Sequence, residues 1–261
     1  MRRWLRVTLY FITGFYIVFA LVAFFLADQM MFYPRPSSYR EDAKIMTLRT
    51  ADGKAIAAMY LPNPQAKFTI LYSHGNAEDI GDLEPLFQQL HDAGFAVFGY
   101  DYEGYGTSEG RPSERATYAD IDAAYAFLTQ TQRMPPARVI VFGRSVGSGP
   151  AIDLAARQPV GGLIIQSGFT SAFRVLTRVP LLPFDKFRNL YKLKQVRCPV
   201  LVMHGKRDGV IPFHHGKRLF EAAPGPKWSL WVDAAGHNDF EWQARNRYLP
   251  AIHDFASHLA D

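Results

Sequence analysis

From residue 68 onward, short apolar runs alternate with amphipathic segments. The runs are 68–72, 95–100, 139–142, 163–166, 200–204 and 228–232, and Val, Ile, Leu and Phe dominate them. Most lack the apolar–polar alternation of a half-exposed strand. A strand that is apolar on successive residues is buried on both faces, as happens when a parallel sheet lies between two layers of helices. Residues 83–93, 113–130, 149–157, 215–221 and 244–260 have helical patterning, with Ser113 a candidate N-cap. Ahead of this series, residues 44–61 hold Ala51-Asp52-Gly53-Lys54, a turn between two short strands. The expected fold class is α/β, with a mostly parallel central sheet flanked by helices. With 261 residues, 48% of them apolar, the chain suits one such domain plus a short extra segment.

In sheets of this kind the chemistry gathers at the carboxyl ends of the strands. The third run is followed at once by Gly143-Arg144-Ser145-Val146-Gly147, and a helix follows that. A G-x-S-x-G between strand and helix makes a sharp, strained turn that exposes the serine oxygen. Its glycines let strand and helix approach closely. Ser145 is therefore the candidate nucleophile.

A serine hydroxyl needs a base to take its proton, and the base needs an acid to orient it. The expected chain order is Ser, then Asp, then His. Asp208, in His204-Gly205-Lys206-Arg207-Asp208, follows one strand; His237, in Ala235-Gly236-His237-Asn238, follows the next. That assigns Ser145 to attack, His237 to carry the proton and Asp208 to stabilise the imidazolium. Asp233 and Asp239 lie nearer His237 in sequence and remain rival acids. Asp208 itself precedes Gly209 and could be a turn residue. His74, His214 and His215 fit the base less well, His74 in a turn and the others opening a helix. Two backbone N–H groups should hold the developing oxyanion. Val146, just after the nucleophile, is one candidate; Asn76, in the His74-Gly75-Asn76-Ala77 loop after the first parallel strand, is the other.

Rival chemistries lack their residues. Gly104-Tyr105-Gly106-Thr107-Ser108-Glu109-Gly110 is not a dinucleotide fingerprint but a tight turn; there is no P-loop and no H-E-x-x-H. No cofactor and no metal is expected. Cys198 is the sole cysteine, and a structural thiol is expected there. The net charge of +5 matches no nucleic-acid module.

Residues 7–27 carry no charge, a span of about 32 Å as a helix and close to bilayer thickness. Trp4 and Tyr33 fall near its two ends. The alternative is a cleaved secretory signal, but the span is long, and Phe25 stands where a cleavage site wants a small residue. The expectation is an uncleaved, single-pass anchor over 1–32, then a catalytic domain over 33–261 with a short lid about 169–197. Arg2, Arg3 and Arg6 precede the span, which puts the N-terminus in the cytoplasm and the catalytic domain on the non-cytoplasmic side. The lid segment holds Arg174, Arg178, Lys186, Arg188, Lys192, Lys194 and Arg197 among apolar residues; either its apolar residues cover the core with the cations facing water, or the segment touches anionic lipid.

Several motifs, in order, carry a resemblance. Ser73-His74-Gly75-Asn76-Ala77, Asp101-Tyr102-Glu103-Gly104-Tyr105-Gly106-Thr107-Ser108, Gly143-Arg144-Ser145-Val146-Gly147 and Gly236-His237-Asn238-Asp239 resemble membrane-attached enzymes of the α/β-hydrolase fold. These include the protein depalmitoylases of α/β-hydrolase-domain family 17 and their bacterial relatives. Pro150, early in a helix, also looks like that family. The resemblance covers residues 33–240 and implies an acyl-ester or thioester hydrolase using the triad above. It also marks a departure: eukaryotic members attach through lipidated N-terminal cysteines, whereas this chain has none before Cys198. The expected partners are the lipid bilayer and a small acyl-ester or lipid-like substrate. A peptidase or amidase with the same triad, or a non-catalytic anchored binding protein of the same fold, are the alternatives.

Overall fold

The computed structural model describes residues 2–40, 44–177 and 179–259. It begins with helix α1 (Arg2–Met31). Strands β1 (Ile45–Arg49) and β2 (Ala55–Leu61) then form the expected antiparallel hairpin. The alternating series follows: β3 (Thr69–Ser73), α2 (Glu84–Asp92), β4 (Ala96–Tyr100), α3 (Glu114–Ala126), β5 (Val139–Arg144) and α4 (Ser148–Arg157). Next come β6 (Gly162–Gln166), the short helices α5 (Ala172–Leu176) and α6 (Asn189–Leu193), β7 (Val200–Gly205), α7 (His214–Ala222) and β8 (Lys227–Val232). Helices α8 (Phe240–Ala244) and α9 (Tyr248–Ser257) end the fold.

The eight strands lie in the order β1-β2-β4-β3-β5-β6-β7-β8. Only β1 and β2 run antiparallel to their neighbours; from β4 to β8 every pairing is parallel. Alternate residues of β5 divide between two cores. Val139 and Val141 join one with residues of α3, α4, α6 and α7; Ile140 and Phe142 join the other with residues of α2, α8 and α9. Burial on both faces is the reason these strands are apolar at successive positions.

Two helices differ from the sequence expectation. The 113–130 segment is α-helical only to Ala126 and closes with a π turn, Phe127–Thr131. Ser113 does cap it, accepting from the Ala116 N–H at 3.0 Å. The 244–260 segment is split: α8 ends at Ala244, Arg245 takes a left-handed φ of 38°, and α9 starts at Tyr248. Pro250 has no N–H and would clash with the carbonyl four residues back, so it is accepted only within a first turn. Ala260, the expected end of that helix, and Arg178, one of the expected lid cations, lie outside the described residues. Pro150 also falls in a first turn, that of α4.

Helix α1 is long and apolar enough to cross a membrane, and the most apolar stretch is unburied. Its far end is docked rather than free. Phe32 is 4% exposed and lies against Tyr105 and Phe187 in the first core. The sequence boundary between residues 32 and 33 thus falls within continuous packing. Cys198 is buried in the same core, and burial pushes its thiol up to about 12, which keeps it protonated.

Candidate active site

Ser145 stands just past β5, near the centre of the sheet, with φ of 53°. That left-handed conformation is strained for a residue with a Cβ, and turns the side chain out of the strand line. The flanking glycines are forced by contact. A Cβ on Gly143 would meet the Gly147 carbonyl oxygen at 2.5 Å, and one on Gly147 would lie 2.1 Å from the Ser73 carbonyl oxygen. The turn is therefore pressed against the end of β3, where the His74–Ala77 loop begins.

Residues from three loops converge here. His237 Nε2 is 2.9 Å from Ser145 Oγ, and His237 Nδ1 is 2.8 Å from Asp208 Oδ2. Ser145 is 7% exposed, and the Asp208 side chain is fully buried. The other carboxylate oxygen, Oδ1, accepts the N–H groups of Val210 at 2.9 Å and Ile211 at 2.7 Å. Burial by itself would raise this carboxyl. Hydrogen bonds from His204 and His237, the electrostatic pull of the His237 ring and the Ile211 N–H outweigh burial and hold it well below the usual carboxylate range.

The rival residues are engaged elsewhere. Asp233 is exposed and pairs with Lys206 at 2.6 Å. Asp239 accepts from the Gly236 N–H and from Gln243, bracing the turn that carries His237. His74 is buried, with its ring against Tyr102 and Nδ1 at 2.7 Å from the Gly75 carbonyl. His215 is buried and accepts from the Thr170 N–H. His214 packs on His215.

The oxyanion candidates lie on either side of the tight contact between the Ser145 turn and β3. Val146 is in the first turn after the nucleophile, where N–H groups have no intrahelical partner. The Asn76 side chain has a role that sequence reasoning missed. Its Oδ1 accepts from Tyr105 Oη at 2.6 Å and from the Tyr33 N–H at 2.9 Å, and its Nδ2 donates to the Met31 carbonyl at 2.6 Å. The loop that carries the Asn76 N–H is thus tied to the end of α1. Arg144 was missed as well. It donates to Glu78, whose other oxygen accepts the Gly75 N–H, and it lies 3.8 Å from Glu241. Burial works against its charge; Glu78, then Tyr72 and Glu241, outweigh this and raise it above its ordinary value. The only sequence signal for Arg144 was its place as the variable residue before the serine.

Among the described residues no group of three or more His, Cys, Asp or Glu side chains is arranged to hold a metal ion. The described cations of the 169–197 segment divide: Arg188, Lys194 and Arg197 are exposed, whereas three are paired within the fold. Arg174 pairs with Asp185, Lys186 with Asp28 at 2.9 Å, and Lys192 with Asp153 at 2.6 Å. Phe187 and Asn189 are fully buried, so the segment is fastened to the domain.

Known proteins resolve the family. The α/β hydrolase domain-containing proteins 17B of Homo sapiens and Xenopus tropicalis are each 41% identical to this chain over 226 residues, which is 85% of it and 78% of them. The chain belongs to α/β-hydrolase-domain family 17. The family 17 protein 17C of Mus musculus is 40% identical over 215 residues, covering 80% of this chain and 66% of its own length. Residues 64–182 match the family model described as serine aminopeptidase, S33. Among solved structures, an esterase of Pyrococcus furiosus superposes with a TM-score of 0.73 at 16% identity, over 87% of this chain and 98% of its own. An esterase of Exiguobacterium antarcticum superposes at 0.64, also at 16% identity, over 81% and 99%. This family 17 chain therefore has the α/β-hydrolase fold and is a hydrolase of an esterase-like family.

Proposed function

We propose that this protein is a membrane-anchored serine hydrolase that cleaves acyl esters or thioesters through an acyl-enzyme on Ser145. The observation that carries the reading is the Ser145–His237–Asp208 relay, with hydrogen-bond distances of 2.9 and 2.8 Å. Ser145 Oγ attacks the acyl carbonyl carbon while His237 Nε2 takes its proton. Asp208 fixes the imidazole with Nδ1–H toward itself and stabilises the imidazolium that forms. The tetrahedral oxyanion lies against the Asn76 and Val146 N–H groups. Collapse breaks the bond to the leaving alcohol or thiol, which takes the proton from His237. Water then gives a proton to His237 and attacks the acyl-enzyme. The carboxylic acid leaves, and Ser145 regains its proton.

Anchoring through residues 7–27, with the catalytic domain on the non-cytoplasmic side, is part of the same proposal. It rests on the apolar, unburied helix and on the arginines that precede it. Ser145→Ala should abolish both ester turnover and fluorophosphonate labelling, a loss of about 10⁶ in turnover, while the thermal midpoint stays in place. Activity within tenfold of the parent would remove Ser145 from the mechanism. The match to a family described as serine aminopeptidase gives a second reading, amide cleavage by the same triad. A panel of matched ester, thioester and aminoacyl-amide substrates separates the two, since the amide reading requires the amide to be turned over best.

A further inference from the structure

Residues 172–177 and 179–186 run along α1 as a strap. It leaves the domain at Ala172, climbs to Leu181, whose carbonyl accepts from Tyr16 Oη at 3.0 Å, and returns past Phe24, where Phe184 packs edge-on. It closes at the Lys186–Asp28 ion pair. Tyr16 and Asp28 are twelve residues apart in one helix, so the strap climbs about 18 Å along α1, over half of a ~30 Å hydrocarbon layer.

Leu176 is 86% exposed and Val179 60%, with Leu181 also exposed, three apolar side chains that are unfavourable in water; in sequence Arg178 stands among them. Pro180 and Pro183 remove two N–H donors from a stretch with little regular structure, in a medium that could not satisfy them. The Tyr16 hydroxyl supplies a partner for the Leu181 carbonyl.

Between strap and helix lies a cavity of about 290 Å³, walled by Phe19, Val22, Ala23, Phe173, Leu176 and Leu182. Among the described residues its one charged wall residue, Arg174, is paired with Asp185. Phe19 and Val22 of its wall also belong to the exposed apolar surface of α1. Met30 and Met31 also line it, and the Met31 carbonyl accepts from Asn76 Nδ2. Asn76 is the residue whose N–H is the proposed oxyanion donor, so one hydrogen bond joins the groove's lining to the loop beside Ser145.

We propose that this groove is the acyl-chain site, and that the chain of a lipid-like ester or thioester enters it sideways from the bilayer. The proposal rests on the acyl-hydrolase reading above. A hydrocarbon chain is the occupant that fits, because it brings no polar groups to satisfy among apolar walls; a peptide would bring several per residue. In this arrangement α1 supplies one wall of the substrate site as well as attachment.

The test uses the full-length protein in phosphatidylcholine vesicles. Ala23→Trp fills the groove from the helix side. The ratio of kcat/KM for a hexadecanoyl thioester to that for a butanoyl thioester should fall at least tenfold. Phe15→Trp, on the lipid-exposed part of α1, should leave that ratio within twofold of the parent. An unchanged ratio in Ala23→Trp overturns the proposal. Failure of the hydrolase reading would look different, since the parent would turn over neither thioester. The groove is then read by cross-linking a non-hydrolysable hexadecyl ether that carries a terminal diazirine. Labelling of Phe173 in the parent, lost in Ala23→Trp, supports the site; absence of label at Phe173 in the parent overturns it.

Discussion

Replacing Asp208 by Asn tests the proposed proton relay at its most constrained point. Both carboxylate oxygens are committed: Oδ1 to the Val210 and Ile211 N–H groups, Oδ2 to His237 Nδ1. An amide in this position must keep its oxygen toward the two backbone donors, because an NH₂ there would face N–H groups with no acceptor between them. The NH₂ then faces Nδ1, which has to become an acceptor. The imidazole proton moves to Nε2, the atom 2.9 Å from Ser145 Oγ, and His237 can no longer take the serine proton. In other triads this wrong tautomer lowers turnover about 10⁴-fold, equivalent to about 5 kcal/mol in the barrier. The expected result is a loss of that size in kcat for a short-chain ester, with slow fluorophosphonate labelling and a folded protein by circular dichroism. Imidazole ¹⁵N shifts should report the proton on Nε2. A loss below tenfold, or a larger loss in Asp233→Asn, would refute the assignment of Asp208 as the acid.

Gly147→Ala should cost about 3 kcal/mol or more, because its Cβ would lie 2.1 Å from the Ser73 carbonyl oxygen; a denaturant midpoint equal to the parent's would contradict that contact. A truncated chain starting at Asp28 should leave the membrane fraction after carbonate washing and stay folded. Starting instead at Tyr33 deletes buried Phe32 and should lower stability by a further 3–5 kcal/mol, roughly the value of a large core aromatic; equal melting temperatures for the two would place Phe32 outside the core. Burial raises the Asp101 carboxyl to about 7, against an ordinary value of about 3.9. The folded value is the higher one, so its contribution to stability is complete below about pH 4 and is lost as pH rises through about 7. Asp101→Asn should flatten the stability profile over that window, and an unchanged slope between pH 4 and 7 would assign the titration to another group.

What the chain announces on its own is periodicity and order. Six apolar runs, buried on both faces, are enough to require a parallel sheet between helices, and the G-x-S-x-G turn can lie in only one kind of place, where a strand ends and a helix begins. The order of Ser145, Asp208 and His237 is legible because each must follow its own strand at the same sheet edge. Helix breaks are less so: the patterning of 244–260 reads as continuous, and only backbone sterics at Pro250 divide it. Only the tertiary structure shows which carboxylate meets the imidazole. Asp233 is four residues from His237 yet points to Lys206, while Asp208, 29 residues away, meets Nδ1, because neighbouring parallel strands bring their following loops together. It alone also reveals Arg144 with Glu78, and Asn76 with Met31, since these contacts join residues 66 and 45 positions apart and leave no local pattern. The same holds for the lid cations. Their charge reads as a surface facing water or lipid; Arg188, Lys194 and Arg197 are exposed, while Lys186 and Lys192 are turned to Asp28 and Asp153, carboxylates that only folding brings within reach.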